Sequence, residues 1–455
     1  MTDPTAPPAR PAAPRPLPGA FVLTGAFRVV CRNPRYLEEL AARGLKILLI
    51  TPESNREAAE TARKDPEHPA ALIDEIAYVD GSLDLEGSFT PGFAARARAW
   101  HGRYDVRGAY AVGETLVEQT GLLCDALGLR GPGPRATRVC RSKYLQRWYL
   151  DAFGPACLVV PPGGREDADL GALTYPVVAK PATRHSSSGV VAVEDAAAMR
   201  VLLAEYPAHE TVLIEEKATG QEYSVESLVQ HGEPVFTSVT RKETTESGAR
   251  TFVELAHSVP SAPGDADAAL LDANRRMLDA LGFRDGIAHA EWRVGADGRP
   301  CLMEVAARTP GDGLLALYHL ATGHPMEPEI IKIALGESAA YPAPRRFARQ
   351  VYLDHTPGVL ADVTLDWPGV RPLWVGEAGM WPEWPPGRAA DPATLRALLV
   401  LQEAGARLRP LASSEDRAVT FLIDAPTPED LDELERAVRA AVTIVTEPGE
   451  AAGEH

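Results

Sequence analysis

The stretch AHAEWRVGADGRPCLMEVAAR, residues 288–308, holds two runs that alternate apolar and polar residues about a Gly-Ala-Asp-Gly turn. That period predicts a β-hairpin. Each run carries a glutamate where a half-buried strand prefers Val or Ile. A register symmetric about the turn makes Glu291 and Glu304 cross-strand neighbours on one face, where like charges repel. Two adjacent carboxylates coexist by sharing a proton or a cation. Mg²⁺ suits such a pair, because it binds one or two carboxylates together with substrate phosphates. Arg308 follows on the same strand face as Glu304, and an arginine beside a divalent ion suits a transferring phosphoryl group. A solvated strand face with a compensating arginine is the competing reading. His289-Ala-Glu291 also matches half of a zinc-deaminase signature, but the required PCxxC partner is missing from the chain.

Three other stretches carry chemistry. TYPVVAKPATRHSSSGVV (174–191) is an apolar strand ending at Lys180 and a proline, followed by the small residues Ser186 to Gly189. Such loops close over phosphates through backbone N–H groups and hydroxyls, with a lysine as point charge; a plain hairpin turn is the alternative. TVLIEEKATGQEYSVESLV (211–229) ends an apolar strand in Glu215-Glu216 and reopens at Glu222. A linker of this kind offers a purine edge its backbone and a ribose a carboxylate, or it is an ordinary strand–loop–strand. FVELAHSVPS (252–261) carries Glu254 and His257, a polar substrate contact or a satisfied pair.

The 455 residues carry a formal net charge of −17, with no Lys/Arg run longer than two. Nucleic acid is thereby excluded as an expected partner, since phosphate neutralisation needs clustered cations. The five cysteines are odd in number and form no CxxC pair, so neither structural zinc nor a disulfide framework is expected, and a cytoplasmic setting is. No apolar run approaches the ~20 residues of a membrane span. The Pro/Ala-rich residues 1–19 lack the apolar core of a signal peptide and read as a disordered tail. Residues 20–131 alternate short apolar strands with helical segments such as NPRYLEELAARG, which predicts a parallel α/β domain. RGPGPRAT marks a boundary. An α+β segment of mainly antiparallel strands follows over 132–345, divided into a small lobe at about 132–210 and a large lobe at about 211–345. A smaller α+β domain over 346–455 includes a Trp/Pro-rich region near 373–386.

The order of these signals is more specific than any one of them. A lysine on an entry helix (Lys143), a strand ending in Lys-Pro, a Ser/Gly loop, a Glu-Glu…Gly-x-Glu linker and a two-glutamate hairpin followed by arginine together resemble the ATP-grasp superfamily over about 132–315. FVELAHSVPS and AHAEWRV…MEVAARTPGDG are similar to the L-amino acid ligases within it. The resemblance implies an ATP-grasp fold preceded by a parallel α/β domain and followed by a smaller C-terminal α+β domain. It implies ATP and two Mg²⁺ ions as cofactors, with Mn²⁺ as a substitute, and an amide-forming ligase that releases ADP and phosphate. Lys143 and Lys180 would contact the phosphates, and Ser186, Ser187, Ser188 and Gly189 would form the lid. Glu215 would accept from the adenine amino group, with Glu216 to Ala218 reading the ring edge, and Glu222 would bind the ribose. Glu291 and Glu304 would ligate metal, Arg308 would act in catalysis with Lys180, and Glu254, His257, Arg308 and Asp312 would line a pocket for carboxylate and amine substrates, amino acids among them. A homodimer is common in the superfamily. Where the family's metal strand reads Glu-x-Asn-x-Arg, this chain reads Glu304-Val-Ala306-Ala-Arg308. A water in place of the asparagine, a weaker second metal or lost activity are the open consequences. Carboxylation of a nucleotide precursor and non-catalytic ATP binding are the alternative functions. For Asp312, the alternative is a cap on the helix starting near Gly313.

Overall fold

A computed structural model describes residues 16–83, 85–184, 189–245, 253–262, 267–376 and 379–448. Its first four strands are β1 (Gly19–Thr24), β2 (Lys46–Pro52), β3 (Glu75–Val79) and β4 (Asp105–Ala111). They form a parallel sheet in the order β3-β2-β1-β4. Near-continuous apolar runs such as AFVLT suit strands covered on both faces, and residues 20–24 are all buried. The helix Pro34–Ala42 makes the first crossover, as the helical spacing predicts.

Strands β5 (Cys157–Val160), β6 (Val177–Pro181), β7 (Val191–Val193) and β8 (Val212–Glu216) form a small antiparallel sheet in the order β5-β8-β6-β7. It has a core of its own around Val177, Ile214 and Met199. Strand β8, which ends at Glu216, pairs within this sheet, past the small lobe's expected bound at about 210.

The large sheet takes β9 (Gln221–Gln230), β10 (Glu233–Thr244), β11 (Glu254–Val259), β12 (Gly286–Val294), β13 (Pro300–Ala306) and β14 (Phe347–Leu353). After them come β15 (Gly358–Leu365), β16 (Pro372–Trp374), β17 (Thr394–Val400), β18 (Arg407–Leu408), β19 (Val419–Ala425) and β20 (Val442–Glu447). The order of the large sheet is β13-β12-β9-β10-β11-β14-β19-β17-β16, and only β18-β15-β20 stand apart. The expected boundary at 345/346 is therefore no break in the sheet: Val259 of β11 pairs Ala348 of β14 across it. One apolar cluster joins the first sheet to the large one, running from Phe21 and Leu49 through Ile330 to Leu228 and Leu399. No described helix is long and apolar enough to cross a membrane.

Candidate active site

The hairpin reaches its paired glutamates by an irregular route. Near the turn, Val294 pairs Pro300 and Trp292 pairs Leu302; beyond a register shift, Glu291 pairs Glu304. The shift leaves Met303 as an extra residue on β13, a β-bulge. Without it Glu291 would face Met303. With it, Trp292, Leu302 and Val305 stay fully buried, while Glu291, Met303, Glu304 and Ala306 all line one cavity of about 330 Å³. A hairpin symmetric about the turn does not produce this pairing.

Two lysines line that cavity. Lys143 opens the helix Lys143–Tyr149; its Nζ donates to the Arg184 carbonyl at 3.0 Å and lies 3.2 Å from Glu304. Lys180, at the end of β6, lies 2.8 Å from Glu215. Burial pushes the Lys180 ammonium below its ordinary pKa, and Glu215 opposes that. Glu215 has strong ionic partners within the protein. Its carboxylate takes Arg147 Nε at 2.6 Å, Arg147 Nη2 at 3.2 Å and Lys180. It thus pairs both cations beside the cavity that it lines. The backbone N–H groups of Glu216 and Lys217 are likewise spent, on the carbonyls of Ala156 and Pro176. Glu216 Oε1 accepts from the Thr174 N–H at 2.9 Å. Ser186, Ser187 and Ser188 lie outside the described residues; the Gly189 carbonyl accepts from Tyr206 Oη at 2.7 Å.

Past the linker, Gly220 holds φ +109, and a Cβ there would lie 2.0 Å from the Val294 carbonyl oxygen. Only glycine lets the linker approach the hairpin so closely. Glu222 follows on β9 and accepts from Arg293 Nη2 at 2.9 Å.

Lys242 carries a role that the motif search missed. It is 2% exposed, and its Nζ lies 2.6 Å from Glu291, 3.2 Å from Glu222 and 3.4 Å from Glu254. It joins the residues expected to bind metal, ribose and substrate. Burial works against its charge, but the three carboxylates hold its pKa well above the ordinary value. The available signal was strand phase: β10 buries Ser238, Thr240 and Lys242 alternately on one face. Lys242→Met should strand three carboxylates together. Removing one partner of a buried pair costs about 3–5 kcal/mol, so the thermal midpoint should fall by roughly 5 °C or more. An unchanged melting curve would refute this role.

At Asp312 the structure does not show the helix cap that was the alternative reading. Its φ is +53, and the helix Leu314–Thr322 has no side-chain cap. The carboxylate instead takes Arg417 Nη2 at 2.7 Å and Nη1 at 3.1 Å, and lies 2.8 Å from His257 Nε2. Burial opposes its charge, yet Arg417 and His257 hold it well below the carboxylate range. His257 Nδ1 is buried without a hydrogen-bond partner among the described residues. Glu254 accepts from Ser414 Oγ at 2.9 Å. Arg308 pairs with Glu114, from the loop after β4, and Arg141 lies 3.6 Å from the same carboxylate. Burial raises the Glu114 pKa, but Arg308 and Arg141 bring it below the ordinary value. Glu114 and Ser414 lay outside every motif, because they reach the site from the first sheet's domain and the C-terminal segment; Arg417 falls in EDRAVTFLIDAPTPEDLDEL (415–434), a stretch similar to the L-amino acid ligases, with no role assigned to it.

His289 stands opposite Ala306 in the hairpin. Its Nδ1 lies 2.8 Å from buried Glu226, which also accepts from Tyr318, Ser224 and Thr240, and its Nε2 lies 3.5 Å from Glu291. The described residues contain no three-ligand His/Cys/Asp/Glu cluster. The half-signature for zinc is thus a histidine bound into a carboxylate network.

The ATP-grasp domain family matches residues 173–315. The chain carries an ATP-grasp domain. Its whole fold is similar to that of an L-amino acid ligase from Bacillus licheniformis, with a TM-score of 0.70 at 18% identity over 95% of this chain and 99% of that one. It is also similar to a phosphoribosylglycinamide synthetase from Anaerococcus prevotii, with a TM-score of 0.64 at 14% identity over 94% and 100%. A third likeness is to the biotin carboxylase domain of the Hydrogenobacter thermophilus 2-oxoglutarate carboxylase, in complex with MgADP and bicarbonate, at 0.60 and 13% over 93% and 90%. No curated protein matches the chain. In this ATP-grasp domain the donor set fits Mg²⁺. Two hard carboxylates on paired strands, with lysines beside them for phosphate, form the partial shell that Mg²⁺ completes with water and phosphate oxygens.

Proposed function

We propose that the protein is an ATP-dependent carboxylate–amine ligase that joins an amino acid to a second amine through an acylphosphate, releasing ADP and phosphate. One observation carries the reading. The Glu291–Glu304 pair shares its cavity with Lys143 and Lys180 and with Glu254, His257, Asp312 and Arg308. Phosphate-binding cations and a polar substrate pocket thus meet at the paired carboxylates. The likeness to an L-amino acid ligase supports amino acids as substrates.

In this reading a substrate carboxylate oxygen attacks the γ-phosphorus of ATP and ADP departs. The amine nitrogen then attacks the acyl carbon, loses a proton, and phosphate leaves. Lys143 and Lys180 hold the phosphates. Mg²⁺ held by Glu291 and Glu304 would neutralise charge on the phosphate oxygens. Arg308, oriented by Glu114, faces the charge that develops on the phosphoryl group and then on the tetrahedral intermediate. Glu254, His257 and Asp312 orient the substrates' polar groups.

The test is incubation with ATP, Mg²⁺ and pooled amino acids, following nucleotides and new masses together. ADP, phosphate and a mass of two amino acids minus water are expected. AMP as the product would refute the mechanism, and consumption of bicarbonate would replace it with a carboxylase.

A further inference from the structure

No described residue of the Trp/Pro-rich region near 373–386 lines the cavity described above. The region lines a second one, of about 710 Å³, and the two meet at a neck formed by Glu114, Arg308, Gly311, Asp312, Ser414 and Arg417. Arg308, assigned to the reacting group, therefore lines both chambers. Trp381 and Trp384 form a wall of this chamber, with ring centroids 6.3 Å apart at 59°. Two contacts set that wall. Glu383, between the tryptophans, accepts from Arg35 Nε at 2.8 Å and so ties the segment to the first domain. At Gly313 a Cβ would lie 3.0 Å from the Trp381 ring and 2.7 Å from Gln350 Oε1, so glycine gives the indole its place.

The inner end of the chamber is polar. His319 Nδ1 lies 3.2 Å from Arg35 Nη1; burial, then Arg35, pushes the imidazole down to about 4, so it is neutral and accepts. Glu327 lines the same chamber and is buried, and its Oε2 has no hydrogen-bond partner among the described residues. Burial raises its pKa. A buried polar atom without a partner is rare in native proteins, and here it belongs to a residue of the chamber's wall.

Resting on the ligase reading, we propose that the second chamber binds the amine substrate, and that this amine carries an aromatic ring with a hydrogen-bonding edge, a phenol or an indole. Aromatic walls favour a flat apolar ring, and the volume lies in the range of sites that enclose ligands well above the size of glycine or alanine. The ring's polar edge would meet Glu327, while the amine reaches back to the neck.

The test uses the full chain and amide-capped amino acids, which offer an amine but no free carboxylate. Tyrosinamide binding by calorimetry should be at least tenfold tighter than phenylalaninamide binding and about a hundredfold tighter than alaninamide binding. Trp384→Ala should weaken tyrosinamide binding at least tenfold, and Glu327→Leu should abolish the preference over phenylalaninamide. In turnover with ATP, Mg²⁺ and pooled amino acids, the capped product should carry tyrosinamide. Equal or tighter binding of alaninamide, or no binding of either tyrosinamide or tryptophanamide, overturns the proposal even if dipeptides form. Selective tyrosinamide binding with no amide product from any amine would overturn the ligase reading and uphold the chamber's ligand.

Discussion

Glu304→Gln should lower kcat about 100- to 1,000-fold while leaving the melting temperature within about 2 °C of the parent. The loss is that found when one electrostatic partner of a transition state is removed, about 3–4 kcal/mol. The fold is expected to survive because Glu304 is partly exposed and its partner Lys143 also donates to the Arg184 carbonyl; such pairs contribute about 0–1 kcal/mol. Glu291→Gln should be as damaging to turnover but not as silent structurally. Glu291 receives Lys242 at 2.6 Å and His289 at 3.5 Å, and the glutamine leaves both cations short of an anion. Because Lys242 keeps Glu222 and Glu254, a loss of about 1–3 kcal/mol is expected, below the full cost of breaking a buried pair. The decisive measurement is kcat beside a melting curve for each variant. Parent-like turnover in Glu304→Gln would end the metal assignment.

The second large effect is expected at Arg308. Arg308→Lys keeps the charge but loses the planar fork that grips Glu114 and, in the proposed reaction, would hold a phosphoryl oxygen at the same time. A loss of about 1,000-fold in kcat, with KM for ATP changed less than threefold, marks a group that acts in the transition state and not in nucleotide binding. Glu114→Gln should cost about tenfold, since it leaves the arginine in place but less firmly oriented; Arg141, 3.6 Å away, loses its partner as well. If Glu114 acts through Arg308, the double variant should be little worse than Arg308→Lys alone. Full additivity of the two losses would show that Glu114 acts independently.

The motif residues were legible because their chemistry is local. A strand ending in Lys180-Pro181, a Glu-Glu…Gly-x-Glu linker and a hairpin with two glutamates each fall within about twenty residues, where period and turn residues speak directly. The parallel first sheet was legible for the same reason, from apolar runs buried on both faces. The bulge at Met303 was not. Alternation alone assigns Met303 and Glu304 to opposite faces, and only the packing of Trp292 and Leu302 into the core shows where the register slips. The partners of Glu215 were not legible either. The sequence places it at a linker, but its partners Arg147 and Lys180 arrive from a helix and another strand.

By itself, the sequence determined the fold class, the order of the phosphate, nucleotide and metal motifs, and the identity of the paired glutamates. These rest on short-range periodicity and on residue chemistry that any burial pattern must respect. Only the tertiary structure decided that Lys242 neutralises three of the carboxylates, that Arg417 and Ser414 close the substrate side, and that Arg308 leans on Glu114. Those pairings span from a dozen to nearly two hundred residues of chain. A buried charge must be matched by a charge or a donor, but composition and spacing cannot say which distant partner matches it until the sheet is assembled.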